Sequence, residues 1–180
     1  YFRDILIAIF LGASVYADAF FVAFRLPNTF RRLFAEGTFN AAFVPSYTSE
    51  LSKGKVKANK FASQIFNLLF IGLFFLVFII ELFMPIFISL IAPGFVGDPE
   101  KIDLAITLTR ITLPFLIFVC LASFFSAILN SHNKFAAASA APIILNLVLI
   151  GILSFSKILN DKLVYYLSYG ISIAGFLQII

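Results

Sequence analysis

The sequence predicts an all-α integral membrane protein, a polytopic helical bundle, and three observations lead there. Of its 180 residues, 62% are hydrophobic and only 12% charged, with a mean hydropathy of +1.05; a water-facing surface on a chain of this size does not tolerate that balance. The apolar residues are gathered into long runs, and about 20 in succession are enough for a helix to cross a hydrocarbon core of roughly 30 Å. Those runs lack the strict alternation of a closed barrel, so helices are the remaining way to satisfy the backbone in lipid.

Six spans are expected, at about 1–12, 15–50, 59–92, 101–130, 134–156 and 162–180. The first and last read as truncated, since the chain starts at Tyr1 without Met and stops inside an apolar run; it reads as a fragment of a longer protein. "FNLLFIGLFFLVFIIELFMPIFISLIA" and "ITLPFLIFVCLASFFSAIL" mark the third and fourth spans most clearly. Between them "PGFVGDPEKID" has the Pro and Gly of a turn and a slight acidic excess. Pro85, Pro114 and Pro142 fall within spans, where each removes a backbone hydrogen bond and bends its helix. "FAAASAAP", residues 135–142, is nearly all small side chains and would let another backbone approach closely. Cys120, the only cysteine, stands in an apolar run as a packing residue.

Charge is distributed unevenly. Residues 1–60 hold eight Lys/Arg against Asp4, Asp18, Glu36 and Glu50, whereas residues 61–180 hold five of each sign. The acid-free run "LSKGKVKANK", with Lys53, Lys55, Lys57 and Lys60, reads as a cytoplasmic loop under the positive-inside rule. That orients the rest: the first span runs outward, the second inward, and "PGFVGDPEKID" lies outside. A basic balance confined to membrane-adjacent segments does not point to nucleic acid.

The second span is the exception to the hydrocarbon. "ADAFFVAFRLPNTFRRLFAEGTFNAAFVPSY" carries Asp18, Arg25, Arg31, Arg32 and Glu36. A rise of about 1.5 Å per residue from an outer interface near Tyr16 to Asp18 puts Arg31 and Arg32 about 20 Å deeper. Charge at that depth costs at least about 2.5–3.5 kcal/mol, so it faces a bundle interior or watery cavity rather than lipid. At 100° per residue Asp18, Arg25, Arg32, Glu36 and Asn40 fall within about 80° of one another, with Asn28 beside them. Arg31 lies about 100° off this stripe unless Pro27 turns the helix.

Two readings of the stripe stay open. Arg25, Arg32 and Glu36 could neutralise one another locally, Arg32 with Glu36 at i,i+4. Alternatively the arginine excess leaves a positive cavity for an anion, and arginine's planar fork suits phosphate. Arg3 joins the second reading, because adjacent helical residues do not face each other and Asp4 would then leave it unneutralised. His132 is the sole histidine, no P-loop sequence occurs and no paired carboxylates stand ready for hydrolysis. No metal or cofactor site is therefore expected, and the residues favour moving or binding something over transforming it.

The stretch "FRDILIAIFLGASVYADAFFVAFRLPNTFRRLFAEGTFNAAFVPSY" closely resembles the N-terminal segment of the MurJ (MviN) lipid II flippases of bacteria. "DAFFVAFRLPN", "RRLFAEG" and "AFVP" carry the resemblance, and "APGF" and "AILNSHNKF" look like further landmarks of that family. It implies the first six-helix lobe of a multidrug/oligosaccharidyl-lipid/polysaccharide exporter-type fold, with the second lobe and two last helices beyond this chain. It implies lipid II as cargo, moved from inner to outer leaflet of the bacterial cytoplasmic membrane by alternating access, driven by an ion gradient or the membrane potential. By motif, Arg3 and Arg31 match cavity arginines important in the family and Asp18 an important acidic position. Arg25, Arg32 and Asn28 stay as substrate-binding candidates, with Glu36 and Pro27 as structural or coupling residues. Expected partners are lipid II, membrane lipids and cell-wall synthesis proteins. A related exporter of another polyprenyl-linked sugar, or a non-transporting scaffold for cell-wall synthesis, are the alternatives.

Overall fold

A computed structural model describes residues 2–35, 38–156 and 162–179, and these are helical nearly throughout, with no strand among them. The first expected span holds α1 (Phe2–Leu11); the second is divided between α2 (Val15–Ala35) and α3 (Thr38–Ser52). The third is divided between α4 (Lys55–Leu82) and α5 (Met84–Ile91), and the fourth between α6 (Pro99–Thr112) and α7 (Phe115–Ser131). Helices α8 (Phe135–Ser154) and α9 (Leu163–Leu177) complete the order.

Local chemistry sets these boundaries. Gly12, at φ 59°, closes α1 in the left-handed region that glycine adopts at little cost. Ser14 then caps α2, its Oγ accepting from the Ala17 N–H at 3.2 Å. Asp98 caps α6 in the same way from the Lys101 N–H, with Pro99 opening the helix. The second part of the segment read as an acidic turn, from Pro99 on, is thus the start of α6, preceded by the 3₁₀ turn Pro93–Phe95. At Phe83, φ −105° and ψ 23° part α4 from α5, two residues before Pro85. Pro114 parts α6 from α7, while Pro27, Pro45 and Pro142 lie inside continuous helices. The lysine run is not a loop: α4 begins at Lys55, so Lys55, Lys57 and Lys60 stand on its first turns.

The largest hydrophobic cluster is built where α2, α6, α7 and α9 meet, around Phe20, Leu108, Phe115, Leu116 and Leu167, with Cys120 among its buried members. Close backbone approach is found on α9. A Cβ on Gly175 would lie 2.6 Å from Phe115 Cδ2 and 3.1 Å from Phe118 Cβ, and one on Gly170 would strike Ile152 Cδ1. The side chains of residues 135–141, where close packing was expected, lie outside the described residues.

A second cluster occupies the Lys-rich end, formed by α3, the start of α4 and the end of α7. Its rings interlock: Phe124 lies 5.1 Å from Phe43 and 5.8 Å from Phe66 between centroids. Tyr47 stacks on Phe43 and brings its hydroxyl 3.3 Å from His132 Nε2, tying α3 to the turn after α7. Asn133, at φ 60°, makes that turn, as asparagine does more readily than other side chains. We expect Phe124→Ala to cost about 3 kcal/mol, the low end for such a cavity because lipid recovers part of the transfer energy. Thermal retention of the folded monomer in detergent measures it.

Two helical stretches are long and apolar enough to cross a bilayer, Lys55–Leu82 and Pro99–Ser131, the latter running through the Pro114 turn. They differ in surroundings. Of the most apolar window of α4 only 11% is buried, against 61% for α6 and α7; α4 presents Phe70, Phe74, Phe75 and Phe78 outward, and α6 and α7 form the centre. At the end of α4, Glu81 Oε2 meets Arg110 Nε at 3.5 Å, an ion pair between α4 and α6.

Candidate functional site

Helix α2 has two chemically opposite faces. Asp18, Phe21, Arg25, Thr29 and Arg32 are exposed, while Ala19, Phe20, Ala23 and Pro27 are buried. The expected polar stripe is therefore an open face, and its back is the side packed on α6 and α7. Exposure after Pro27 stays in phase with exposure before it, so Pro27 does not rotate the helix enough to bring position 31 onto the stripe. Arg31 belongs to α2 by its backbone, and its side chain lies outside the described residues. Glu36 lies outside them entirely, so the proposed Arg32–Glu36 pairing is not described.

Asp18 stands at the start of α2 and meets Lys101 Nζ of α6 at 3.6 Å, an ion pair between an exposed carboxylate and a half-buried lysine that is worth little by itself. Lys101 also sits 5.8 Å from the Phe95 ring centroid. Among the described residues no acid pairs with Arg25; its carbonyl accepts from the Thr29 hydroxyl at 2.9 Å. Asn28 is half-buried, and both Asn28 and Arg32 are engaged by partners.

Arg3 departs from the sequence argument. Its Nε and Nη2 donate to Asp4 Oδ1 at 2.9 and 2.6 Å, although the two are neighbours on α1. The rule that adjacent helical residues diverge holds for Cβ directions; the long arginine stem lets the guanidinium swing back across that angle. The same guanidinium lies 5.9 Å from the Phe24 ring centroid on α2. Carboxylate and ring together hold it in one place, with the side chain 20% exposed. Position 31 is seven residues beyond Phe24, about 20° from its phase and about 10 Å further along the helix. Positions 3 and 31 thus share one side of α2, and Arg25 and Arg32 share another.

Sequence reasoning missed the joint behind this face. Pro27 has no N–H to offer the carbonyl of Ala23, and Thr112 Oγ1, at the end of α6, stands 3.1 Å from that oxygen. Both residues are fully buried. A matching contact lies at the α6–α7 break, where Ser172 Oγ of α9 donates to the Ile111 carbonyl. A neighbouring hydroxyl is how membrane helices accommodate proline. Thr112 is one of three threonines in "ITLTRITLP", and nothing in that stretch singles it out. No group of three or more potential metal ligands occurs among the described residues.

The comparisons with known proteins come down on one family. The family model described as lipid II flippase MurJ matches residues 7–180. The probable lipid II flippase MurJ of Rhizobium tropici is 42% identical over 182 residues, covering 98% of this chain and 34% of the relative. That of Rickettsia prowazekii (strain Madrid E) is 40% identical over 179 residues, covering 99% of this chain and 35% of the relative. A solved structure described as lipid II flippase MurJ in an inward closed conformation superposes with a TM-score of 0.83 at 30% identity. It covers 99% of this chain and 37% of that one. The chain spans about a third of the length of the curated relatives it matches.

Proposed function

The chain belongs to the MurJ lipid II flippase family, and from that membership we propose that it is the first six-helix lobe of a transporter that moves lipid II between membrane leaflets. The observation that carries this beyond membership is the open polar face of α2. Arg25 stands there with no acid beside it among the described residues, and Arg3 is held against the same helix by Asp4 and Phe24. A pyrophosphate brought into this low-dielectric region meets fixed cations that offset its lost hydration.

Arg3 and Arg31 hold the diphosphate from the side shared with α1, while Arg25, Arg32 and Asn28 line the adjoining stripe. Asp18, paired with Lys101, couples the start of α2 to α6 where the two helices enter the membrane. The prenyl chain stays in hydrocarbon, as its apolar surface requires. A second lobe and two further helices, outside this chain, close the cavity, and rocking of one lobe against the other exchanges its openings.

The Lys-rich start of α4 lies on the cytoplasmic side, where anionic headgroups relieve the repulsion between its lysines and the positive end of the helix dipole. This puts the Pro93–Phe95 turn on the opposite side of a bacterial inner membrane. The exposed phenylalanines of α4 face lipid.

Reconstitution of the full-length protein tests the reading. Vesicles containing it are expected to bring labelled lipid II within reach of an externally added, impermeant enzyme or quencher. Protein that binds cell-wall synthesis partners yet leaves lipid II in its original leaflet would be a scaffold and would overturn the proposal.

A further inference from the structure

We propose that Thr112 is a positioning residue for the α2 arginines, holding the two halves of that helix in fixed relation across Pro27. The inference rests on the transport reading for its functional consequence and on geometry alone for its structural part.

Asp18 and Arg25 lie before Pro27; Asn28, Arg31 and Arg32 lie after it. The joint between these halves is the turn in which Ala23 has lost its usual donor. Thr112 Oγ1 has two acceptors at 3.1 Å, the carbonyls of Ala23 and of Thr109. The Thr109 carbonyl already accepts the Leu113 N–H at 2.8 Å, so the hydroxyl proton is of most use at Ala23. With Ala23, Thr112 and Pro27 all buried, no water stands in for it. The hydroxyl itself is held at the last residue of α6, immediately before the break at Pro114. A change in how α6 meets α7 therefore acts, through this hydrogen bond, on the turn of α2 that lies between Arg25 and the Arg31–Arg32 pair.

The full-length protein carries the test. Thr112→Val keeps the shape and removes the hydroxyl; we expect lipid II transport to fall about tenfold at equal abundance in the membrane. Thr112→Ser restores the donor and should recover most of the rate, which a purely volumetric role would not give. Pro27→Ala returns an N–H to the Ala23 carbonyl, so in that background the thermal midpoint lost to Thr112→Val should largely vanish. If Thr112→Val fails to accumulate, the same cycle is read from the double variant, which should then accumulate. A Thr112→Val protein as stable and active as wild type, or one whose stability loss is unchanged by Pro27→Ala, would overturn the assignment. Should the wild-type protein not move lipid II, the transport reading fails, and the stability cycle still decides the hydrogen bond.

Discussion

Arg31→Ala, made in the full-length protein, is expected to abolish complementation of a cell depleted of its flippase, while the variant still inserts in normal amount. A charge-assisted contact to phosphate contributes about 1.5–3 kcal/mol, and its loss leaves the rest of a doubly charged group facing low dielectric. Transport then falls by one to two orders of magnitude, below what growth requires. Arg31→Lys keeps the charge but not the planar fork and is expected to be impaired as well. Normal growth of Arg31→Ala would remove this residue from the site. Cysteine labelling at positions 31 and 32 then reads the two sides of α2 separately, since the phase continues unbroken through Pro27.

Gly175→Ala is expected to destabilise the lobe by about 1–3 kcal/mol. The added methyl would stand 2.6 Å from Phe115 Cδ2 and 3.1 Å from Phe118 Cβ. Phe115 is fully buried in the main cluster, so its ring cannot swing aside without displacing others. Gly151→Ala makes the matched control: it adds the same methyl to a helix with nothing within 4 Å. Thermal retention of the monomeric full-length protein should drop for the first and hold for the second. Equal behaviour of the two would mean that α9 and α7 part easily at this contact.

The residues that told most in advance were those of α2. Its polar stripe followed from a 100° step applied to "DAFFVAFRLPNTFRR", because a helix with one open side sorts its residues that way. Arg3 was misjudged because a wheel records where a side chain starts and not how far it reaches. The breaks at Phe83 and Pro114 were legible as prolines, yet Pro27 and Pro142 look the same in sequence and leave their helices continuous. What separates them is tertiary: Thr112 reaches the carbonyl that Pro27 leaves without a donor, and no local pattern announces a hydroxyl 89 residues away. "FAAASAAP" advertises close approach by composition, and its side chains from 135 to 141 lie outside the described residues. Gly170 and Gly175, where close approach is seen, are isolated glycines whose value lies in what stands opposite.

Among the described residues, Leu69 packs against both the aliphatic and the aromatic cluster. Each end of the lobe keeps its own store of cohesion. Helix α7 runs through both, with Leu116 and Cys120 in one and Phe124 and Ala127 in the other. In the transport cycle proposed above, α7 and Leu69 are the described links by which strain at one mouth reaches the other.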